Sequence, residues 1–497
     1  MNKLFVVFIV AVVGLGILFF NDFRVLLAGF QLQALGKDLA QTYSKPQESS
    51  VVYDLSPLLN RWPEIKQKAG VIEKYYQHAR IVSILVQPDE VKQWLQYLYL
   101  LESFISTLDK PQQWLVMLQN SNELRSSGGF MGSYALIKIE NQQITELIIE
   151  DVYDADGQWS GYIEPPPGVQ EYLSGGKGWR LPDANWAAEF PSAAQQVQLF
   201  IEETKRTKLN GVIAINSQFF ASILDVIGTI NLPDYNFSLS ADTVDDLLQD
   251  RPNEFFPGSR QKVHLLTQAK NQALARIIQL DQDQTIELVQ TMLGQLQAKN
   301  VLIYSTTPQI QEKLTQLSFS GEWQSNSYET PLIGLIESNV GINKVNQWVK
   351  RQVTVTLSPN TLTIEVIFDN QATLDQEKNQ SLYVNYMRAV VPSSFKLDNV
   401  LVNGAPVAYD SAPLSLAGQT DSVQIGWLVT TPARSQTATQ LVFTLDQRNF
   451  EQLKIIKQSG LDNVPYHLVF EDQRLPFQLN QDQLIQLTPQ LELIGSE

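Results

Sequence analysis

The chain has 497 residues, too many for one ordinary domain at ~100 to 200 residues each, so two or three domains with real cores are expected. Its 36 Lys+Arg against 52 Asp+Glu give a net charge of −16, which repels a phosphate backbone and excludes general nucleic-acid binding. There is no cysteine, so disulfides and thiolate metal sites are excluded.

Residues 4–20, LFVVFIVAVVGLGILFF, form an uncharged run of 17 residues. That is the short end of the ~17 to 25 residues that cross a bilayer as a helix. Lys3 precedes it, and Asp22 and Arg24 follow. The balance favours a single-pass anchor over residues 1–22, N-terminus inside, with the bulk of the chain extracytoplasmic. A cleavable signal peptide would share the apolar core, but VLLAG after it is too bulky for a persuasive cleavage site.

From 23 to 110, segments such as DEVKQWLQYLYLLESFISTL repeat apolar residues at three- and four-residue spacing, predicting a helical stalk or collar. QWLVMLQN (113–120) reads as a buried strand, and SYALIKIENQQITELIIEDV as two strands around a turn at Glu140 to Gln143. A helix is predicted from Ser192, which stands as its cap after Pro191. Then come a strand at 211–215, a helix in SQFFASILDVIG, helices at about 259–279 and 284–298, and a strand at 301–305. The alternation predicts an α/β layered domain over 111–340. After Trp348, short β-rich runs broken by Asn, Pro, Gly and Ser predict a β-sandwich over 341–497.

The stretch NSNELRSSGGFMGSY, 120–134, places Asn122 and Arg125 beside Gly128 and Gly129. The glycines permit a sharp turn that exposes amides to an anion, and Arg125 is a permanent fork donor for phosphate or carboxylate. The competing reading is that Arg125 pairs with Glu123 or Asp151 and pins a loop. No Gly-Lys-Ser/Thr follows, so this is not a Walker loop.

EDVYDADG (150–157) gathers Asp151, Asp154 and Asp156, hard oxygen donors suited to magnesium. An EF-hand is excluded, because Val152 and Ile163 fall on ligand positions. A solvated acidic turn is the alternative. WRLPDANWAAEFPS (179–192) brings Arg180, Asp183 and Asn185 into a loop whose tryptophans either line a ligand or anchor by burial. The three histidines are scattered, and no Gly-x-Ser-x-Gly is present, which disfavours zinc and serine hydrolases.

Taken together, LQNSNELRSSGGFMGSY, DVYDADG, RLPDANWAAEFPSAA and NGVIAINSQFFASILDVIG resemble the bacterial domain of unknown function 4012 family over roughly 111–470. The resemblance implies a membrane-anchored envelope protein and no particular reaction. A second, more distant resemblance is to the LytR-CpsA-Psr phosphotransferases, which move glycopolymers from polyprenyl-diphosphate carriers. It rests on GVIAINSQFFASILDVIG and on Arg260 and Gln261, which stand where that family starts a helix with Arg-Gln.

That second resemblance implies a diphosphate-binding role for Arg125, a magnesium-facing role for Asp151 or Asp154, and a lipid-linked glycan as partner. The chain departs from the pattern at EDVYDADG, which lacks an Arg-Asp pair. The candidate set is therefore Arg125, Arg180 and Asp183 for catalysis, and Asn122, Gly128, Gly129, Asn185, Arg260 and Gln261 for the ligand. Asp151, Asp154 and Asp156 are the candidates for a metal. A transferase requires the arginines and an acid to converge on one pocket. A non-catalytic scaffold or glycan-binding protein leaves each arginine in its own salt bridge.

Overall fold

The apolar run at 112–120 alternates between two faces of a strand, as the two-residue period of β structure requires. In the computed structural model, Leu115 and Met117 enter one core with Tyr134, Phe200 and Val212. Val116 enters another with Ala135, Leu224, Leu265 and Leu266. The strand is thus covered on both faces, which is why its sequence is nearly continuously apolar. The structure describes residues 20–43, 53–79, 82, 86–244, 260–323, 330–373, 381–416, 419–445, 450–487 and 491–494.

Six strands form this sheet in the spatial order Tyr53–Asp54, Gln143–Asp151, Phe130–Glu140, Gln112–Asn120, Gly211–Ile215 and Val301–Ser305. The central pair, 112–120 with 211–215, is parallel, and the others are antiparallel. The hairpin between 130–140 and 143–151 turns at Asn141 and Gln142, whose φ values of 52° and 65° match the left-handed pair of a tight hairpin. Helix Phe190–Lys205 packs on one face, while Ser217–Ile227 and Arg260–Ile278 pack on the other. The 190–205 helix begins two residues before the expected Ser192 cap, with Pro191 in its first turn, where a missing N–H costs nothing.

The N-terminal helices Phe20–Tyr43, Ser56–Tyr76 and Pro88–Ile105 form a collar rather than a free stalk. Leu100 of the last one packs with Ile310, Leu314 and Phe319 of the α/β domain. The apolar run expected to cross the membrane lies, up to residue 19, outside the described residues. No described helix is long and apolar enough to cross a membrane.

Two seven-stranded sheets form the C-terminal sandwich. Its core takes Val353, Val355 and Leu357 from one strand, and Ile364, Val366 and Phe368 from the next. Each is fully or nearly fully buried. Burying a side chain such as Phe368 contributes about 1.5 to 3 kcal/mol, so alternation alone pins this register. The sandwich starts before the expected residue 341. Leu332–Ile336 lies inside one of its sheets, antiparallel to Tyr383–Pro392 and parallel to Gln452–Ile456. All five residues of this strand are buried, and LIGLI, short and without alternation, gave no sign of which domain it joins.

Candidate functional site

The 120–130 loop leaves the end of the central strand and runs into the sandwich. Gly129 has φ +156°, and a Cβ there would sit 2.3 Å from the carbonyl oxygen of Asn120, so only glycine closes this loop. Gly128, φ +125°, packs against the sandwich loop at Ser459 and Gly460; a Cβ on Gly460 would lie 2.3 Å from the Gly128 oxygen. The Gly-Gly pair therefore brings two backbones together.

Asn185, fully buried, donates to Ser127 Oγ and to the Gly129 carbonyl, both at 2.9 Å, and so fastens the loop from the 179–192 segment. Asn122 accepts through its carbonyl from Asn346 N–H at 3.2 Å. Both residues hold the loop in place.

Arg125 is 1% exposed. Its Nη1 donates to the carbonyl of Asn339 at 2.6 Å and to that of Leu124 at 3.1 Å. Nη2 reaches Glu123 Oε1 and Asp183 Oδ1, each at 3.2 Å, and Nε reaches Asp183 at 3.3 Å. The guanidinium also lies 5.5 Å from the Phe130 ring centroid. Of the two carboxylates weighed as its pair, Glu123 is a partner; the other partner is Asp183 rather than Asp151. Burial pushes the Glu123 and Asp183 carboxyls above their usual range, partly offset by the Arg125 charge.

Arg180 faces a different acid. Its Nε and Nη2 form a fork on Asp156 at 3.1 to 3.2 Å, and Leu181 N–H donates to the same carboxylate at 3.0 Å. Arg260 and Gln261 are exposed in the first turn of the 260–278 helix. The structure therefore does not bring the three arginines to one pocket.

The three aspartates are likewise apart in role. EDVYDADG folds into a short helix, Val152–Asp156, capped by Asp151 accepting from Tyr153 N–H at 2.9 Å. Asp156 is taken by Arg180, and Asp154 is exposed. Among the described residues no group of three or more His, Asp or Glu side chains is placed to hold a metal ion. Trp186, 2% exposed, anchors the loop by burial, as does Trp179, whose indole donates to the Asp183 carbonyl at 2.9 Å.

Several interdomain residues carried no sequence signal. Buried Arg388 donates to the Trp186 carbonyl at 2.7 Å and to Ser338 Oγ at 3.0 Å, with its guanidinium 4.4 Å from the Trp186 ring centroid. Burial without a touching carboxylate pulls its pKa down to about 10. Gln458 donates to the carbonyls of Arg125 and Glu337 at 3.2 and 2.8 Å. Lys457 pairs with Asp462 at 2.8 Å and donates to the Ala298 carbonyl at 2.7 Å.

Three hollows of similar size lie near this seam. One in the sandwich and one between the domains, each with a volume of about 20 Å³, have charged linings that are already paired: Arg351 with Glu337, Lys457 with Asp462, and Lys299 with Asp482. The third, about 30 Å³, opens beside Asn120, Glu123, Gly132, Ser133, Lys262 and Lys344.

Comparison with known proteins bears on the segment that carries the loop. Residues 109–252 match the family model "Protein of unknown function (DUF4012)". This is the family that the four motifs resemble, and the matched segment holds every candidate residue except Arg260 and Gln261. No curated protein matches the chain.

Similar solved structures include protein gbs0355 from Streptococcus agalactiae, at 12% identity and TM-score 0.29, covering 43% of this chain and 76% of that one. TagV from B. subtilis is 9% identical at TM-score 0.20, covering 43% and 82%. The structure titled "TagT bound to LI-WTA" is 8% identical at TM-score 0.23, covering 43% and 76%. These are LytR-CpsA-Psr proteins, the second resemblance read from the sequence. At such scores they decide nothing about this chain's chemistry, which rests on its own residues.

Proposed function

We propose that this protein is an extracytoplasmic envelope module, held at the membrane by residues 4–20, that binds a phosphorylated, lipid-linked glycan without transferring it. The observation that carries the non-catalytic reading is the engagement of Arg125. Its guanidinium is divided among Glu123, Asp183 and the Asn339 carbonyl, and the residue is 1% exposed. A transferase needs donors preorganised around the departing phosphate, and an arginine sealed between two domains supplies none. Arg180, forked on Asp156, is equally committed.

The envelope assignment rests on the apolar N-terminal run and on the resemblance to the family of unknown function. The test is to reconstitute the full chain in nanodiscs with a polyprenyl-diphosphate-linked glycan, with and without magnesium, and to follow binding and transfer separately. Saturable binding with no transfer is expected under both conditions. Transfer that Arg180→Ala abolishes in a folded protein would overturn the reading.

A further inference from the structure

Large apolar side chains are exposed one at a time along the sandwich, at Ile342, Tyr409 and Leu493, and single ones are normal on any surface. On the collar side they come in sets. Helix Phe20–Tyr43 buries Val25, Ala28 and Leu35 on one face. At about 100° per residue, Leu26, Leu27 and Phe30 fall on the opposite face, where they are 46%, 44% and 66% exposed. A helix that is apolar on both faces requires an apolar neighbour on both.

The same excess appears on a helix of the α/β domain. Gln282–Gln297 turns Leu288 into the core with Leu224 and Leu280, while Ile286, Val289 and Met292, spaced three apart, form a second stripe that is 43% to 47% exposed. This helix touches Phe20–Tyr43, and its Gln297 donates to the Tyr97 hydroxyl of Pro88–Ile105 at 3.1 Å. One turn before Tyr97 stands Trp94, 53% exposed, its ring T-shaped against that tyrosine at 5.8 Å between centroids. Three neighbouring helices thus expose apolar side chains, two from the collar and one from far along the chain. Grouping of this kind marks an interaction surface.

We infer that this side of the molecule docks onto the lipid surface, with the 20–43 and 282–297 helices lying together against the bilayer interface. What selects lipid over a protein partner is where the first helix begins. Phe20 is the last residue of the uncharged run 4–20, and Leu26 to Phe30 follow it within about 9 to 15 Å of helix. The interfacial layer outside the hydrocarbon is only ~5 to 8 Å deep on each side. An upright helix would lift Phe30 clear of that layer into water; one inclined along the interface keeps Phe30 covered and lowers its neighbour 282–297 to the same surface. Trp94 suits that depth, where tryptophan rings concentrate. The charges of the 282–297 helix are Asp283 and Glu287, both exposed, so the contact is apolar and independent of anionic headgroups. The inference rests on the membrane-held reading above and goes beyond it: the α/β domain is laid against the bilayer rather than carried above it.

Because the chain has no cysteine, a single introduced thiol carries a fluorophore at one place only. The variants are F30C, M292C and, as a control at an exposed turn of the sandwich, D472C. Each full chain is labelled with a nitrobenzoxadiazole dye, checked for an unchanged melting temperature and reconstituted into phosphatidylcholine liposomes, with doxyl-labelled phosphatidylcholine as quencher. The dyes at positions 30 and 292 are expected to be quenched severalfold more than the dye at 472, with blue-shifted emission, equally at low and high salt. I286Q combined with V289Q should reduce the quenching at 292 while the chain stays with the liposomes.

Quenching at 30 with none at 292 would report only nearness to the anchor and would overturn the docking of the 282–297 helix. Silence at both positions, in liposomes that retain the chain, would overturn the docked face while leaving the membrane-held reading intact. Liposomes that fail to retain the chain would remove that reading and the docking with it. A blue shift at 292 that appears in detergent and grows with protein concentration would seat a second copy on the stripe and overturn the lipid contact.

Discussion

Arg125 donates to the backbone carbonyl of Asn339 at 2.6 Å, so the side chain that the sequence offers to a ligand is instead the bond that closes the α/β domain onto the sandwich. Around it, Asn339 N–H donates to the Leu124 carbonyl at 3.0 Å, and Asn346 reaches Leu124 N–H at 3.3 Å. The seam is polar, directional and almost closed to water. Its energetics follow from what each removal leaves behind.

Arg125→Ala would leave Asp183 buried without its counter-charge and Glu123 with only the Lys344 charge nearby. Breaking a buried pair in this way costs about 3 to 5 kcal/mol. Adding Glu123→Gln and Asp183→Asn should recover most of that loss, since no buried charge then remains. Urea denaturation of the single and triple variants measures both steps. A loss below about 1 kcal/mol in the single variant would mean the cluster is far wetter than its 1% exposure implies.

Arg388→Met should cost less, about 2 kcal/mol, on the scale of hydrogen bonds to a charged group. No carboxylate is orphaned by it, and the Trp186 carbonyl keeps its bond from Ser126 Oγ at 2.7 Å. The ordering of the two variants is the informative quantity. If Arg388→Met proved the more damaging, the stacking on Trp186 would outweigh the Arg125 ion cluster.

Burial holds the Glu123 and Asp183 carboxyls above their ordinary values of 4.5 and 3.8. The folded state therefore binds protons that the unfolded state has already released. Stability is fullest below the ordinary values and declines as pH rises through the window up to the raised ones. Glu123→Gln removes one of these protons, so its stability-against-pH curve should be flatter just above pH 4.5. A slope identical to that of the parent protein would place the titration elsewhere.

Gly129→Ala forces a Cβ against the Asn120 backbone, which cannot swing aside. A loss of about 2 kcal/mol or more is expected, at the upper end for backbone strain of this kind. Arg180→Ala, whose side chain is 25% exposed, should cost only about 1 kcal/mol. Thermal melting of both variants measures the difference. A loss in the Arg180 variant as large as that in the Gly129 variant would mean the fork on Asp156 is less screened than its exposure implies.

The strands from 112 to 151 could be read from the chain because alternation is a local property, and the turn at Asn141 and Gln142 advertises itself. Of the partners of Arg125, Glu123 could be named from the chain, but Asp183 and Asn339 could not, since Asn339 lies more than two hundred positions away and carries no periodic mark. EDVYDADG misleads in one dimension, because its acids are adjacent in sequence while a turn of helix gives each a separate task.

Each sheet of the sandwich contains one parallel pairing, Leu332–Ile336 with Gln452–Ile456 and Val349–Leu357 with Val464–Phe470. Both join the first strands of the domain to nearly its last ones. Neither sheet can close until synthesis has passed residue 470, and non-local pairing of this kind is slow to form. During synthesis the α/β half would therefore wait with its polar seam open, and its completion would be timed by the far end of the chain. Loss of the last thirty or so residues would strip strands from the outer half of both sheets at once, so C-terminal damage would be felt at Arg125.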